Sequence, residues 1–235
     1  GIYVGTDAGL SGRDAMLTTP VYRDNAIPEA ERVITWLRQK APFLSVKVGG
    51  ESFYIAQVPQ LFKDQLSRAA AEVLGEDTLS HTLIVGRCST ETIDSEMRVH
   101  SDYDMTCTHA WVWYGTDAPT GSVPPVEWGR RLPPSGEVVY GTALYDHVEL
   151  GPQFSGTRET HNCLLRNESD DPTRWTLRQI LPMRKNRLAV YPSDLFHSRY
   201  PHAGWGTSQR DGRITIVGFC TAKGHDAKTV DTGTD

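Results

Sequence analysis

The sequence predicts a mainly β fold, a sandwich or barrel with helices along one side. Three observations predict it. After Leu79 the apolar spacing changes from helical to strand-like. From there to residue 220, short segments rich in β-branched and aromatic residues alternate with Gly, Pro, Asn and Asp clusters. Finally, 235 residues with 38% hydrophobic content suffice for one large core, and all-β chains of this size commonly remain single domains. The expected organisation is one domain over residues 1–223, with helical support at about 20–78, a β core at about 80–221 and a flexible tail at 224–235.

Two helices come first. In "PEAERVITWLRQK" Pro28 opens a run in which Ala30, Val33, Ile34 and Leu37 share one helical face, and Arg38 and Lys40 suit the C-terminal dipole. In "PQLFKDQLSRAAAEVLG" the apolar face is Leu61, Phe62, Leu66, Ala69, Ala70, Val73 and Leu74, closed by Gly75 as C-cap. The candidate strands follow: 82–88, 97–102, 106–115, 136–145, 174–181, 187–192, 195–201 and 213–220. Trp111, Trp113 and Tyr114 read as core and barrel wall, with one parity of their strand facing a pocket. The Pro- and Gly-rich 116–136 segment reads as a substrate lid or solvated insertion. "RKNR" at 184–187 reads as a solvated hairpin turn, and "DHVEL" at 146–150 with His161 as surface or substrate-loop residues.

Lys and Arg number 24 against 29 Asp and Glu, and no stretch concentrates the basic residues, which argues against nucleic acid as partner. Cys88, Cys107, Cys163 and Cys220 are scattered without a C-x-x-C pair, the pattern of buried thiols in a reducing compartment. No apolar run approaches the ~20 residues that span a bilayer, and the start "GIYVGTDAGL" lacks the features of a signal peptide. The expectation is a cytoplasmic protein without a membrane partner.

The chemistry centres on "MRVHSDYDMT". On a strand, residues i and i+2 point to one face, so His100 and Asp102 converge while Ser101 faces away. His197, in "RLAVYPSDLFHSRYPHAGWG", is the best third ligand; His202 is a rival of opposite parity after Pro201. Asp104 reads as a flanking or surface carboxylate. Two imidazoles and one carboxylate on one face of an octahedron hold Fe(II) and leave positions open for a co-substrate and oxygen. The residual positive charge favours an anionic chelator. In "DGRITIVGF", Arg213 and Thr215 share a strand face, so a guanidinium fork and a hydroxyl could grip a distal carboxylate; Arg210 in the preceding turn is the alternative anchor. Tyr114, Tyr191, Arg98 and Arg199 are candidate substrate contacts.

The ordered set His-x-Asp, then a distal His after "RLAVYPSD", then Arg-x-Thr opening the next strand resembles the iron(II)- and 2-oxoglutarate-dependent oxygenase superfamily in its prolyl-hydroxylase-like branch. The resemblance spans about residues 80 to 221. It implies a double-stranded β-helix, a jelly roll of cupin type buttressed by the N-terminal helices. It also implies iron bound by His100, Asp102 and His197, and the C5 carboxylate of 2-oxoglutarate bound by Arg213 with help from Thr215. With O2 as oxidant, an unactivated C–H bond of the substrate would be oxidised with release of succinate and CO2. Halogenating members lack the carboxylate ligand, so Asp102 implies hydroxylation, desaturation or cyclisation. The expected substrate is a small molecule such as an amino acid or a biosynthetic intermediate. The alternatives are a prolyl-type protein side chain, a cupin-type metalloenzyme without a keto acid, and a non-catalytic jelly-roll binding domain. Nucleic-acid demethylation is disfavoured because Phe219 stands where that branch carries a second arginine.

Overall fold

The computed structural model describes residues 2–4, 19–48, 50–94, 98–120, 130–131 and 140–222. The chain runs β1 (Ile2–Val4), β2 (Val21–Arg23), α1 (Ala30–Gln39), β3 (Leu44–Val48), β4 (Glu51–Gln57), α2 (Gln60–Leu74) and β5 (Leu79–Ser89). It continues with β6 (His109–Tyr114), β7 (Arg130–Arg131), β8 (Gly141–His147), α3 (Arg158–Glu168), β9 (Trp175–Pro182), β10 (Arg187–Pro192), β11 (His197–Tyr200) and β12 (Arg213–Ala222). Among these residues the strands form an eight-stranded sheet in the order β1-β2-β10-β6-β12-β5-β4-β3 and a smaller one in the order β11-β8-β9-β7. Both are antiparallel throughout except for the short β7–β9 pairing. The two sheets enclose a pocket, as in a jelly roll.

Strand parity sorts the large sheet into two faces. Trp111 and Trp113 of β6, Leu188 and Val190 of β10, and Ile214 and Ile216 of β12 pack under Val33 and Leu37 of α1 and Phe62, Leu66 and Val73 of α2. The opposite parity turns Ala110, Val112 and Tyr114, Ala189 and Tyr191 toward the second sheet, where Leu144 and Leu181 meet them. The β6 strand is therefore buried at every position. Gly218 is required in β12, because a Cβ there would lie 2.2 Å from Cε2 of the Trp111 ring. The α2 helix ends at Gly75 in the left-handed conformation with φ 68°, as the sequence predicts. Its Leu61 does not join the apolar face and is 50% exposed.

Several elements depart from the sequence reading. The β2 strand and the β3–β4 hairpin lie in the region read as helical support. The alternation in "LSVKVGGESFYIAQ" and its Gly-Gly turn carry the hairpin signal. The α3 helix is not among the expected elements; its N-cap is Thr157, whose hydroxyl accepts from the Thr160 N–H in a capping box. Its Leu164 packs with Trp175, Tyr145 and Phe196 on the outer face of the small sheet. The turn at 184–187 is anchored rather than merely solvated. Asn186, at φ 61°, accepts at Oδ1 from Ile27 N–H and Trp113 Nε1–H, and Arg187 is buried against Asp24. Most of the 116–136 segment and the whole 224–235 tail lie outside the described residues. Cys88, Cys107 and Cys220 are buried without a disulfide, and Cys163 is exposed against expectation. No described helix is long and apolar enough to cross a membrane.

Candidate metal centre

Residues 98–102 do not form the strand expected at 97–102, of which Met97 lies outside the described residues. Only His100 makes a ladder contact, an isolated antiparallel bridge to His197. The His100 N–H donates to the His197 carbonyl at 3.0 Å, and the His197 N–H donates back to the His100 carbonyl at 2.8 Å. Asp102 then leaves the extended conformation (φ -98°, ψ 27°) to open a 3₁₀ turn at Tyr103–Met105, its own N–H bound to the Ser193 carbonyl. Backbone exchange with the start of β11, rather than strand periodicity, therefore brings the two chain regions together. Ser101 does turn away: its hydroxyl lies 2.7 Å from Nε2 of His161.

Three ligand atoms of His100, Asp102 and His197 lie within 4.8 Å of one another, and they form the one such cluster among the described residues. Asp102 Oδ1 is 3.6 Å from His100 Nε2, and its Oδ2 is 3.2 Å from His197 Nε2. A carbonyl can only accept. His100 Nδ1 must therefore donate to the Arg98 carbonyl at 2.8 Å, and His197 Nδ1 to that of Leu195 at 2.8 Å. In the neutral rings both Nε2 lone pairs then face the carboxylate, and this second set of hydrogen bonds fixes the rings as metal ligands are fixed. Three electron-pair donors crowded together need a cation between them.

Without a metal, a proton serves. Burial lowers the His100 pKa to about 4, reinforced by the charge of His197. At His197 burial acts in the same direction, but the charge and hydrogen bond of Asp102 outweigh it and raise the value. Burial would raise the Asp102 pKa, yet the paired imidazoles hold it below the ordinary value.

These residues open onto a cavity of about 70 Å³ between the sheets, lined also by Arg87, Thr142, Tyr191, Ser198, Arg199, Arg213, Thr215, Val217 and Phe219. Arg213 is 6% exposed, and among the described residues its guanidinium makes no hydrogen bond; Nε is buried and unpartnered, as is Thr215 Oγ1. Its nearest aromatic support is the Tyr114 ring, 5.9 Å from the guanidinium carbon. Burial lowers its pKa to about 10. A buried cation with unused donors beside an unused hydroxyl fits an anionic group bound at that place. The donor set and this pair of orphaned groups are therefore compatible with Fe(II) and a dicarboxylate keto acid.

The remaining candidates divide. Tyr191 lines the cavity with its ring centroid 4.9 Å from that of His197, and burial and the Asp102 charge hold its phenol well above the usual pKa. Tyr114 is fully buried below Arg213 with its hydroxyl 2.7 Å from that of Thr142. Arg199 lines the cavity, but its donors are consumed by Ser89 Oγ and by the carbonyls of Asp94 and His202. Arg98 does not face the cavity. It pairs with Glu51 and Asp170 at the surface. Arg210 is exposed, and the side chain of Asp104 lies outside the described residues. The DHVEL and His161 groups gather no metal cluster; His147 instead faces Glu168 at 3.4 Å. Arg87, on the wall of the cavity, was not singled out from the sequence, where a lone arginine in "TLIVGRC" carries no distinguishing signal.

Fold and site together define a jelly-roll protein with a buried His/Asp/His cluster and an arginine-lined cavity. No protein-family model matches the sequence, and no curated protein matches it. Among solved structures, AviO1 from Streptomyces viridochromogenes Tue57 is similar at 15% identity over 94% of this chain and 98% of its own, with a TM-score of 0.48. An oxidoreductase of the 2OG-Fe(II) oxygenase family from Burkholderia pseudomallei is similar at 9% identity over 95% and 97%, TM-score 0.47. The non-heme alpha ketoglutarate dependent epimerase SnoN from nogalamycin biosynthesis is similar at 14% identity over 86% and 77%, TM-score 0.46. At these values the description of the fold rests on the strand order and register given above.

Proposed function

We propose that the chain is an iron(II)- and 2-oxoglutarate-dependent oxygenase that oxidises an unactivated C–H bond of a small molecule, working as one domain over residues 1–223. The observation that carries this reading is the buried, unpartnered Arg213 beside Thr215 in the same cavity as the three ligand atoms. When bound, Fe(II), 2-oxoglutarate and O2 supply the oxidant for the C–H bond, with succinate and CO2 as co-products. The residues have distinct tasks. His100, Asp102 and His197 hold the metal, the carbonyls of Arg98 and Leu195 orient the two rings, and Arg213 with Thr215 takes the distal carboxylate by charge-assisted hydrogen bonds. The Tyr191 ring packs on His197 and, with Phe219 and Val217, keeps water from the reacting centre. A cavity of only about 70 Å³ lined by three arginines supports a small, polar substrate over a protein side chain.

The test is anaerobic addition of Fe(II) and 2-oxoglutarate. A weak visible charge-transfer band that is absent from Asp102→Ala, followed by succinate formation on admitting O2, is the expected result. No band and no succinate from the wild-type protein would leave the binding-domain alternative standing.

A further inference from the structure

Three guanidinium groups, those of Arg87, Arg199 and Arg213, line the cavity, and Asp94 is the carboxylate set among them. Their situations differ. The Arg199 donors are spent on protein acceptors, and Arg213 with Thr215 is the pair that would take the distal carboxylate of the keto acid. Arg87 is held from one side only: Nη2 donates to Asp94 Oδ2 at 2.7 Å, while Nε is buried and has no partner among the described residues. The ring of Phe53 lies 5.1 Å from its guanidinium carbon and fixes the plane of the fork. On the sheet, Arg87 of β5 stands across from Thr215 of β12, which stands across from Tyr114 of β6. Arg87 thus lines the same cavity as His100 and Asp102 on one hand and Arg199 and Arg213 on the other.

Charge balance points the same way. With a divalent metal and a dianionic keto acid in place, Asp94 and Asp102 ionised and the imidazoles neutral, one positive charge remains uncompensated among the described residues of the cavity. A buried excess charge of this kind is unfavourable unless something binds to it.

We infer that Arg87 is the specificity-determining residue for the primary substrate, and that it binds a carboxylate or other oxyanion which that substrate carries. The inference rests on the oxygenase reading and adds the charge class of the substrate. The Asp94 carboxylate holds one edge of the fork and leaves Nε for the ligand; because Asp94 also faces Arg199, it cannot cancel both charges, and the substrate anion meets a net positive site. A neutral isostere can accept the same hydrogen bond but brings no charge, so it forms the weaker, uncharged contact and leaves the excess charge uncompensated.

The experiment uses the full chain loaded with Mn(II), which is redox-silent here, and saturated with 2-oxoglutarate. Acetate is titrated at constant ionic strength, with acetamide as the neutral control, and binding is read from the shift in melting temperature. Saturable protection by acetate and none by acetamide is expected. Arg87→Gln should weaken acetate at least about tenfold while changing the 2-oxoglutarate affinity less than threefold, and Arg87→Lys, which keeps the charge and the pair with Asp94 but has no second donor edge, should also lose most of the acetate binding. The inference is overturned if acetate gives no saturable shift, if Arg87→Gln and wild type respond alike, or if Arg87→Gln loses 2-oxoglutarate as severely as Arg213→Met does, since Arg87 would then belong to the keto-acid clamp. Failure of the wild-type protein to bind 2-oxoglutarate at all is read before any acetate is added. That result removes the oxygenase reading and this inference with it, whereas the other outcomes touch the inference alone.

Discussion

Replacing Arg213 by methionine should make the ligand-free protein more stable, the reverse of the usual effect of changing a buried residue. The physical reason is that Arg213 is 6% exposed and its guanidinium makes no hydrogen bond among the described residues. Burial brings its pKa from 12.5 down to about 10. At ~1.4 kcal/mol per unit, that depression means the charged form loses about 3 kcal/mol on folding. Its sign is fixed: a cation whose folded pKa is depressed carries the full penalty at every pH below the folded value, so at neutral pH all of it is present. Methionine keeps an unbranched apolar stem against Tyr114 and removes the charge. Allowing for imperfect repacking, Arg213→Met should gain about 1–2 kcal/mol, or roughly 2–8 °C in melting temperature for a domain of this size. The assay is urea and thermal unfolding at pH 7.5, with and without Mn(II) and 2-oxoglutarate. Wild type should rise with the keto acid by mass action, and the variant should not. A variant destabilised by 1 kcal/mol or more without ligand, or one that still responds to 2-oxoglutarate, would refute the reasoning.

Asp102→Ala should reduce Mn(II) affinity by on the order of a hundredfold or more, measured by titration calorimetry or electron paramagnetic resonance, because it removes the carboxylate that both Nε2 atoms face. Asp24→Asn should destabilise the fold by ~2 kcal/mol at pH 7, since Arg187 donates to both Asp24 oxygens at 2.7 and 3.1 Å. The hydrogen bond from Arg187 depresses the Asp24 pKa below 3.8, so this difference should be present above that value and fade as the pH falls below it. Denaturant midpoints at pH 7, 5 and 3.5 follow it, and a gap that widened toward acid would contradict the pairing. Asn186→Ala should cost ~3 kcal/mol by calorimetry, because Ile27 N–H, Ile27 C=O and Trp113 Nε1 lose their partner; a loss under ~1 kcal/mol would show that the turn is held by other contacts.

The β core was legible because its signals are local. The apolar strands β5, β6, β10 and β12 lie within two or three residues of their expected ends, and parity alone separates Trp111 and Trp113 from Ala110, Val112 and Tyr114. The β3–β4 hairpin and α3 carried local signals too, a Gly-Gly turn and a Thr-x-x-Thr cap, but each sits among polar residues that weaken the periodicity. His100, Asp102 and His197 were named from spacing and order. The reason they meet is nonetheless different from the one expected: a backbone bridge and a bent Asp102, where a regular strand had been drawn.

By itself the sequence determined which residues could ligate a cation, which face of each strand is apolar, and that an arginine and a threonine share a face of the last strand. These are consequences of residue chemistry and of a two-residue period. Only the tertiary structure decided that Arg213 is left without a partner, that the Arg199 donors are already spent and that Arg98 points to the surface. It alone placed Arg87 beside the site. Whether a charged group is satisfied depends on which carbonyls and carboxylates other parts of the chain bring within about 3 Å of it, and no periodicity along one strand encodes that.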